Sequence, residues 1–415
     1  MLSKQYKCLP YIFFLVVVFD NIVLTFGINN YMLSSFIGRC LQIAEIYFLF
    51  LTFIFVKNHF SDLKNKNKFL LCFYIYCILY FLYGIYKIMF TSDTLYTRAA
   101  IASCIGFMQI GMIFFFKYES IALKFSSLWL NKILFVVIFF MLPFVNFFNW
   151  EIVFVPVCLY LLFWDCLSKK YKYLLVAMVL WCFLFNGQRA QIIRILFFLM
   201  IVFSAKTILF KKRILRTVNF AFYVFPIVMF ILAALGSFNI FSDSSKLLGS
   251  DVEVAGEKLS EDTRTDLFVE AIDGAVYEKY VWYGKSPASG YYSVHFEKVK
   301  GQIGFTRLAE VFVINIFTWC GIPGLIMFML LYMYTSFRCI GKANNKYMQM
   351  VGLAISVCWL MDWFANSNYA MGVYHTIIYF MMGISLNDNL LKMNDKEFKN
   401  YFKYNLYGIT NKKCV

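Results

Sequence analysis

The segment NGQRAQ at residues 186–191 separates two strongly apolar runs, and a second arginine, Arg194, follows five positions after Arg189. Arginine carries a planar guanidinium that stays charged at physiological pH and binds a phosphate through two parallel hydrogen bonds. A charged side chain within or beside an apolar run is costly, which makes each such residue a candidate for function. Together with Arg264 later in the chain, Arg189 and Arg194 predict a clamp for a diphosphate, with Gln188 as a further binding residue.

The same arginines also have a purely structural interpretation. Arg189 can extend its charged head to the polar boundary of a membrane while its stem stays in apolar surroundings. Arg194 can pair with a buried carboxylate such as Asp20 or Glu45. The sequence leaves both interpretations open for these two residues.

Transfer of a group to a hydroxyl also requires a residue that removes the hydroxyl proton. Glu310 stands at the start of a late apolar run, where it is either a base or the ion-pair partner of Arg307. His295 and His375 are alternative bases, and for each of them an ordinary hydrogen-bonded histidine is the competing explanation. The base is therefore left unassigned among these residues.

The composition predicts a membrane protein around these candidates. Of 415 residues, 61% are hydrophobic and only 15% are charged, whereas about a quarter of a soluble chain is charged. A membrane span needs about 20 apolar residues, and runs of that kind predict an all-α polytopic membrane protein with about 12 transmembrane helices. The predicted spans cover residues 9–28, 36–56, 69–90, 98–116, 132–149, 151–167, 173–186, 190–210, 217–236, 309–335, 348–365 and 370–386.

One long polar stretch, residues 237–308, interrupts this series and is predicted to be a large loop that carries short helices. It divides the chain into helices 1–9 within residues 1–236, the loop itself, helices 10–12 within residues 309–386, and a cytoplasmic tail at residues 387–415. A loop of this length between spans is usually functional or disordered, and its aromatic content favours function.

Inside the loop, Asp262 is a suitable N-cap for a helix whose apolar residues recur at helical spacing and which Gly284 can end. Trp282 and Tyr283 stand beside that end. Amphipathic aromatic residues settle at membrane surfaces, so the helix either lies on the membrane or packs on its own loop. The following segment, residues 286–290, has the composition of a turn.

The distribution of basic residues predicts the orientation in the membrane. The net charge is +16, and Lys and Arg concentrate in alternate connections between spans, leaving the opposite short connections with only Arg39, Lys87, Arg98 and Arg189. Because basic connections stay in the cytoplasm, both termini are predicted to be cytoplasmic and the long loop to face outward. Nucleic acid is excluded as a partner, because the basic residues form short clusters between apolar runs and no basic face of a soluble domain.

Several kinds of site have no support in the sequence. The patterns GxxxxGK[ST], HExxH, paired CxxC and the EF-hand are all absent, so neither a cofactor nor a metal is predicted. The first outer connection, residues 29–35, contains no carboxylate. This absence argues against a metal-dependent membrane glycosyltransferase, which commonly places an acidic motif there.

Three features together resemble the O-antigen polymerase and ligase superfamily. Gly187-Gln188-Arg189 opens a span, a large outer loop follows two spans later, and residues 306–310 and 319–324 lead back into the membrane. The resemblance covers residues 174–331 with some specificity, and it lies in the order of spans and loops more than in the identity of individual residues. It departs from the ligases, which carry a His-Asn-like element where this chain has Leu308-Ala309-Glu310.

The resemblance implies the metal-independent transfer of a polyprenyl-diphosphate-linked oligosaccharide to another sugar hydroxyl, with Arg189 and Arg264 in the positions of the family's diphosphate-binding arginines. Holding the leaving-group charge and orienting the sugars is then the main task of the enzyme. Glu310, His295 or an Asp of the loop would act as the base, and Arg194, Arg307, Trp282, Tyr291 and Gln188 would bind substrate.

The expected protein is thus a polymerase of surface polysaccharide, O-antigen or capsule, in the bacterial cytoplasmic (inner) membrane. Its partners would be the lipid-linked donor and acceptor, the bilayer, and as further candidates a chain-length regulator and a flippase. A flippase-type transporter and an O-antigen ligase are the alternative functions. Transporters usually have short outer loops and internal repeats, and this chain shows a long loop and no clear repeat.

Overall fold

The computed structural model of the protein confirms the helical class, since 83% of the described residues are helical. Four short strands accompany the helices in the described part of the chain. The structure describes residues 11, 43, 46–47, 49–58, 67–91, 95, 97–130, 151–185, 189–207, 211–234, 253–254, 257–258, 263–293, 306–364 and 372–407.

Fifteen helices occur within these described ranges, numbered here in chain order. The first eight are α1 (Leu49–Asn58), α2 (Lys68–Phe90), α3 (Thr97–Met108), α4 (Met112–Phe116), α5 (Glu119–Leu128), α6 (Glu151–Leu162), α7 (Lys169–Phe185) and α8 (Arg189–Ser204). The others are α9 (Lys212–Ala234), α10 (Thr263–Tyr277), α11 (Phe312–Lys342), α12 (Lys346–Asp362), α13 (Val373–Ser385), α14 (Asp388–Lys392) and α15 (Asp395–Tyr407). Single 3₁₀ turns lie at Gln109–Gly111 and Trp164–Cys166.

Three helical stretches are long and apolar enough to cross a membrane, namely Lys68–Phe90, Ala99–Phe116 and Phe312–Lys342. Shorter apolar helices occur at Leu49–Asn58, Val153–Leu162, Ala190–Ser204 and Val373–Ser385, each within or overlapping a predicted span. Apart from Tyr11, the predicted spans 9–28 and 132–149 lie outside the described residues. The membrane class is supported by the three long helices, and the arrangement of twelve spans stays a prediction.

Two helices form the centre of the bundle. Every residue of α12 from Tyr347 to Asp362 is buried, and so is every residue of α13. A helix that is apolar and buried on all sides belongs to the core of a large protein or of a membrane bundle. Around this centre, α8 exposes a stripe of large apolar side chains at helical spacing, a surface that suits lipid better than water. The stripe consists of Ile193, Leu196, Met200 and Phe203.

The polar stretch and the basic connections lie at opposite ends of the bundle. Helix α11 runs the length of the bundle, and residues 281–289 contact its first third through backbone and side-chain hydrogen bonds. Beyond its last turn, Lys346 pairs with Asp165 across 2.8 Å, and near that turn Arg338 pairs with Asp388 across 2.7 Å. The opposite placement is what the charge pattern predicts for a loop and basic connections on two faces of a membrane.

The strands are short and all belong to the polar stretch or its edge. Strand β1 (Glu253–Val254) pairs with β2 (Glu257–Lys258), and β3 (Tyr291–Tyr292) pairs with β4 (Thr306–Arg307), both antiparallel. In the second pair Tyr291 lies opposite Arg307, which ties the end of the loop to the residues just before α11.

The predicted loop helix is present as α10, although it ends at Tyr277, well before Gly284. The chain leaves the helix because Lys279 adopts a left-handed conformation with φ of 61°. Gly284, with φ of 67°, serves a second turn further on. The helix was correctly predicted to start just after Asp262, but its end was placed too late.

Candidate functional site

Helix α11 is interrupted at Gly321, where φ is 66° and ψ is −167°. The interruption leaves backbone groups without partners inside the helix, and the polar stretch supplies them. The Ile322 amide donates a hydrogen bond of 3.0 Å to the Val281 carbonyl, and the Lys285 amide donates one of 2.7 Å to the Thr318 carbonyl. The loop therefore supplies the hydrogen bonds that α11 loses at its break, and the two segments depend on each other.

Glycine is required on both sides of this contact. A Cβ atom on Gly321 would overlap the Trp282 carbonyl, and a Cβ atom on Gly284 would overlap the Trp319 carbonyl group. The conformation of Gly321 is also one that only glycine adopts readily. Two glycines that are 37 positions apart thus allow the two backbones to touch.

The turn that follows is buried in the end of the bundle. Trp319 Nε1 donates to the Ser289 carbonyl at 3.1 Å, the Tyr80 hydroxyl donates to the Tyr283 carbonyl at 3.0 Å, and the Leu95 amide donates to the Ala288 carbonyl at 3.1 Å. We call residues 281–290 the plug. The turn predicted at residues 286–290 is present, and it is packed among α2, α11 and the start of α3 instead of lying in solvent.

A second group of polar residues lies inside the bundle at the same end. Arg194 of α8 is 1% exposed, its Nη1 atom donates to the Gln191 side-chain oxygen at 2.6 Å, and its guanidinium lies 4.3 Å from the ring centre of Tyr374. A guanidinium over an aromatic face is stabilised by the charge distribution of the ring. Asp20 and Glu45, the carboxylates that the sequence suggested for Arg194, lie outside the described residues.

Asp362 is the carboxylate that the structure brings near Arg194. It is the last residue of α12, is fully buried, and its Oδ2 atom accepts a hydrogen bond of 2.7 Å from the Tyr332 hydroxyl. Its Oδ1 atom has no hydrogen-bond partner within the described part of the chain. Arg194 is close enough to stabilise the Asp362 carboxylate electrostatically.

His375 completes what we call the buried polar cluster, formed by Arg194, Tyr332, Asp362, Tyr374 and His375. The imidazole is 1% exposed and stacks on Phe312 with ring centres 4.7 Å apart. The positive charge of Arg194 disfavours a second positive charge on this imidazole. Among the described residues neither ring nitrogen has a hydrogen-bond partner. Buried polar groups are normally satisfied, so Asp362 and His375 need an explanation beyond packing.

Helix α10 lies across this end of the bundle. Its Phe268 stacks on Trp363, the neighbour of Asp362, with ring centres 6.1 Å apart. Arg264 belongs to the first turn of α10, one turn before Phe268. Arg189 is the first residue of α8, roughly 7.5 Å along the helix axis from Arg194. The backbones at Arg189 and Arg264 therefore both lie at the end that holds the buried polar cluster.

Several predicted residues fall wholly or partly outside what the structure describes. This is the case for the side chains of Arg189 and Arg264 and for the whole of Gln188 and His295. Their proposed roles stay predictions. For Glu310, the structure shows the ion-pair arrangement, with 3.2 Å between Arg307 Nη2 and Glu310 Oε1 and with 68% of the Glu310 side chain exposed.

The two aromatic residues predicted to bind sugar are placed differently. Trp282 is 62% exposed at the rim of the plug, where its ring is available for stacking. Tyr291 is 1% exposed, and burial raises the pKa of its phenol to about 12 against the opposing charge of Arg307. Tyr291 is thus a neutral, packed residue of the loop base in this structure.

Sequence reasoning missed Asp362 and its donor Tyr332. A usable signal was present, because Asp362 is the single acidic residue in the predicted span 348–365. A carboxylate inside an apolar span is by default a candidate for function. Its partner Tyr332 lies 30 positions away on another helix and carries no signal of its own.

The hydrogen bond to Asp362 leads to a stability prediction. Tyr332→Phe removes the donor to a buried carboxylate and should lower the free energy of unfolding by about 1–3 kcal/mol. Tyr379→Phe is the matched control, because Tyr379 is equally buried and its hydroxyl has no hydrogen-bond partner among the described residues. Thermal unfolding of the two variants in detergent measures the difference. Equal melting temperatures would show that the bond contributes nothing.

The fold and the site define a membrane-associated helical protein with a buried charged cluster at the end where a polar loop closes on a broken helix. No protein-family model, curated protein or solved structure matches the chain.

Proposed function

We propose that this protein is a polymerase of surface polysaccharide, O-antigen or capsule, that joins polyprenyl-diphosphate-linked repeat units at the outer face of the bacterial cytoplasmic membrane. One observation carries the proposal. The start of α8, with Arg189, and the start of α10, with Arg264, both lie at the end of the bundle that holds the buried polar cluster, opposite the basic connections. Two arginines at that end suit the two phosphates of a lipid-linked donor.

In this reaction the acceptor hydroxyl attacks the anomeric carbon of the donor sugar. The bond from that carbon to the diphosphate oxygen breaks, the new glycosidic bond forms, and the polyprenyl diphosphate leaves with the bonding electron pair. Arg189 and Arg264 stabilise the negative charge that grows on the leaving group. The hydroxyl proton passes to a base that the sequence leaves open among His295, His375 and Glu310, the last of which is ion-paired with Arg307 in this structure.

The buried polar cluster supports this role by positioning α8. Arg194 is hydrogen-bonded to Gln191, lies over the ring of Tyr374 and is attracted by the Asp362 carboxylate, and these interactions restrict the helix turn between Arg194 and Arg189. A binding residue is most effective when its helix is held by such contacts. Arg194 then acts as a positioning residue, and Arg189 as the residue that touches substrate.

A transporter of lipid-linked oligosaccharide is the second candidate. The observation in its favour is the cluster itself, because ionisable residues buried between helices often mark the path of a transported substrate. The long polar stretch and its hydrogen-bonded junction with α11 favour the enzyme, since transporters usually have short outer loops.

Surface glycans of a strain that lacks the gene separate the two functions. Loss of a polymerase should leave single repeat units on the cell surface and remove all longer chains. Loss of a flippase should leave no repeat units at the surface, and loss of a ligase should leave long chains that are still attached to the lipid carrier. Expression of the intact gene must restore the wild-type pattern, and an unchanged pattern in the deletion strain would refute all three functions.

A further inference from the structure

A crevice lies at the opposite end of the bundle from the plug. It is formed where the end of α6, the end of α8 and the start of α12 meet, and it is a shallow, solvent-open crevice with an enclosed volume of about 10 Å³, roughly the room of one water molecule. Its lining divides into an apolar wall and a charged rim. The wall consists of Leu162, Trp164, Val202, Ala205 and Met350, and the rim of Asp165, Lys206 and Lys346.

The rim carries excess positive charge. Lys346 Nζ is 2.8 Å from Asp165 Oδ2, so this pair is largely neutral. Lys206 and Lys399 both exert a positive field on the same carboxylate, and the Lys172 ammonium lies 5.4 Å from the ring centre of Trp164. Asp395, which accepts a hydrogen bond from the Lys346 amide, and Glu397 lie nearby in the first turn of α15. Four lysines against three carboxylates leave a net positive charge, which attracts an anion.

The exposed stripe of α8 ends close to Lys206. Lys206 follows two residues after this helix, and Phe203 of the stripe lies one turn before it, whereas Val202 and Ala205 of the crevice wall lie on another face of the helix. An anion held at Lys206 with an alkyl chain attached would therefore find apolar surface along Phe203, Met200 and Leu196. The rim and the stripe together match the headgroup and the acyl chain of one lipid.

We propose that this crevice is a binding site for an anionic phospholipid, with the phosphodiester at Lys206 and Lys346 and an acyl chain along the exposed stripe of α8. The lysine-rich connections of the chain are on the side predicted to be cytoplasmic, where anionic lipids attract basic residues that lie near the membrane surface. The site is independent of the proposed polymerase activity, because it lies at the other end of the bundle.

Native mass spectrometry of the full chain in a neutral detergent tests the site. With dioleoyl-phosphatidylglycerol we expect one tightly held lipid per chain, and with dioleoyl-phosphatidylcholine much weaker retention. Lys206→Gln should weaken phosphatidylglycerol binding about fivefold, the value of one lysine near an anionic headgroup. Lys211→Gln removes an equal charge from an exposed position that does not line the crevice and should change binding by less than about twofold.

Two further measurements make the proposal refutable. Ala205→Leu fills the crevice without changing its charge and should weaken lipid binding as Lys206→Gln does. Glycerol 3-phosphate should not displace the lipid, because it lacks the acyl chain. Equal losses in Lys206→Gln and Lys211→Gln would show diffuse attraction to a basic surface, and displacement by glycerol 3-phosphate would show a site for free phosphate. Either result would overturn the lipid site.

Discussion

Arg189→Ala should abolish long-chain polysaccharide while the protein still accumulates in the membrane. Arg189 begins α8 at the end of the bundle where Arg264 lies in the first turn of α10, and we propose that the diphosphate of the donor binds there. Removing one preorganised donor to a developing negative charge typically slows a reaction by about a hundredfold or more. The ladder of chain lengths on a gel of surface glycans measures the effect, with immunoblotting of the membrane fraction as the test of expression.

Two other variants make this experiment specific. Arg189→Lys keeps the positive charge but loses the planar guanidinium, which can bind a phosphate through two hydrogen bonds. An intermediate ladder of shorter chains is therefore expected. Arg213→Ala removes an exposed arginine from the first turn of α9, at the opposite end of the bundle, and should leave the ladder unchanged. A full ladder in Arg189→Ala would refute the diphosphate clamp. Equal defects in the Arg189 and Arg213 variants would point to a general loss of membrane assembly.

Gly321→Ala should detach the plug from α11 and destabilise the protein on the order of 3 kcal/mol, because residues other than glycine are strained in this backbone conformation. The added methyl group would also overlap the Trp282 carbonyl. Separation of the two backbones would break the hydrogen bonds from Ile322 to Val281 and from Lys285 to Thr318. We expect a melting temperature several degrees lower and faster proteolysis within residues 281–290.

Gly372→Ala is the matched control for this change. A Cβ atom on Gly372 meets no atom within 4 Å, and the residue has an ordinary negative φ of −89°. Its melting temperature should therefore stay close to that of the wild type. Gly284→Ala should reproduce the effect of Gly321→Ala, since Gly284 forms the other side of the same contact. A Gly321→Ala protein with unchanged stability would mean that the junction between plug and helix does not form.

The sequence predicted the class of protein because apolar composition and span length are local properties of the chain. The long helices Lys68–Phe90 and Phe312–Lys342 coincide with predicted spans, and α10 begins where a capping residue and helical spacing placed it. The end of α10 was mispredicted because the chain turns at Lys279, which carries no glycine or proline signal. Residues 286–290 were recognised as a turn, but nothing local indicated that this turn is buried.

The sequence by itself also determined that Arg194 is unusual, because a charge inside an apolar run is visible without a structure. Only the tertiary structure decided what surrounds it. Asp362 and His375 are more than 160 positions away from Arg194 and lie on two other helices, so their proximity depends on which helix faces meet in the bundle.

Helical periodicity shows that a face is apolar but does not show which other face covers it, since hydrophobic attraction is not directional. The break at Gly321 also depends on contacts with a distant part of the chain. Glycine and proline at residues 321–324 mark a weak point in the helix, and only the hydrogen bonds from the plug determine that the helix opens there.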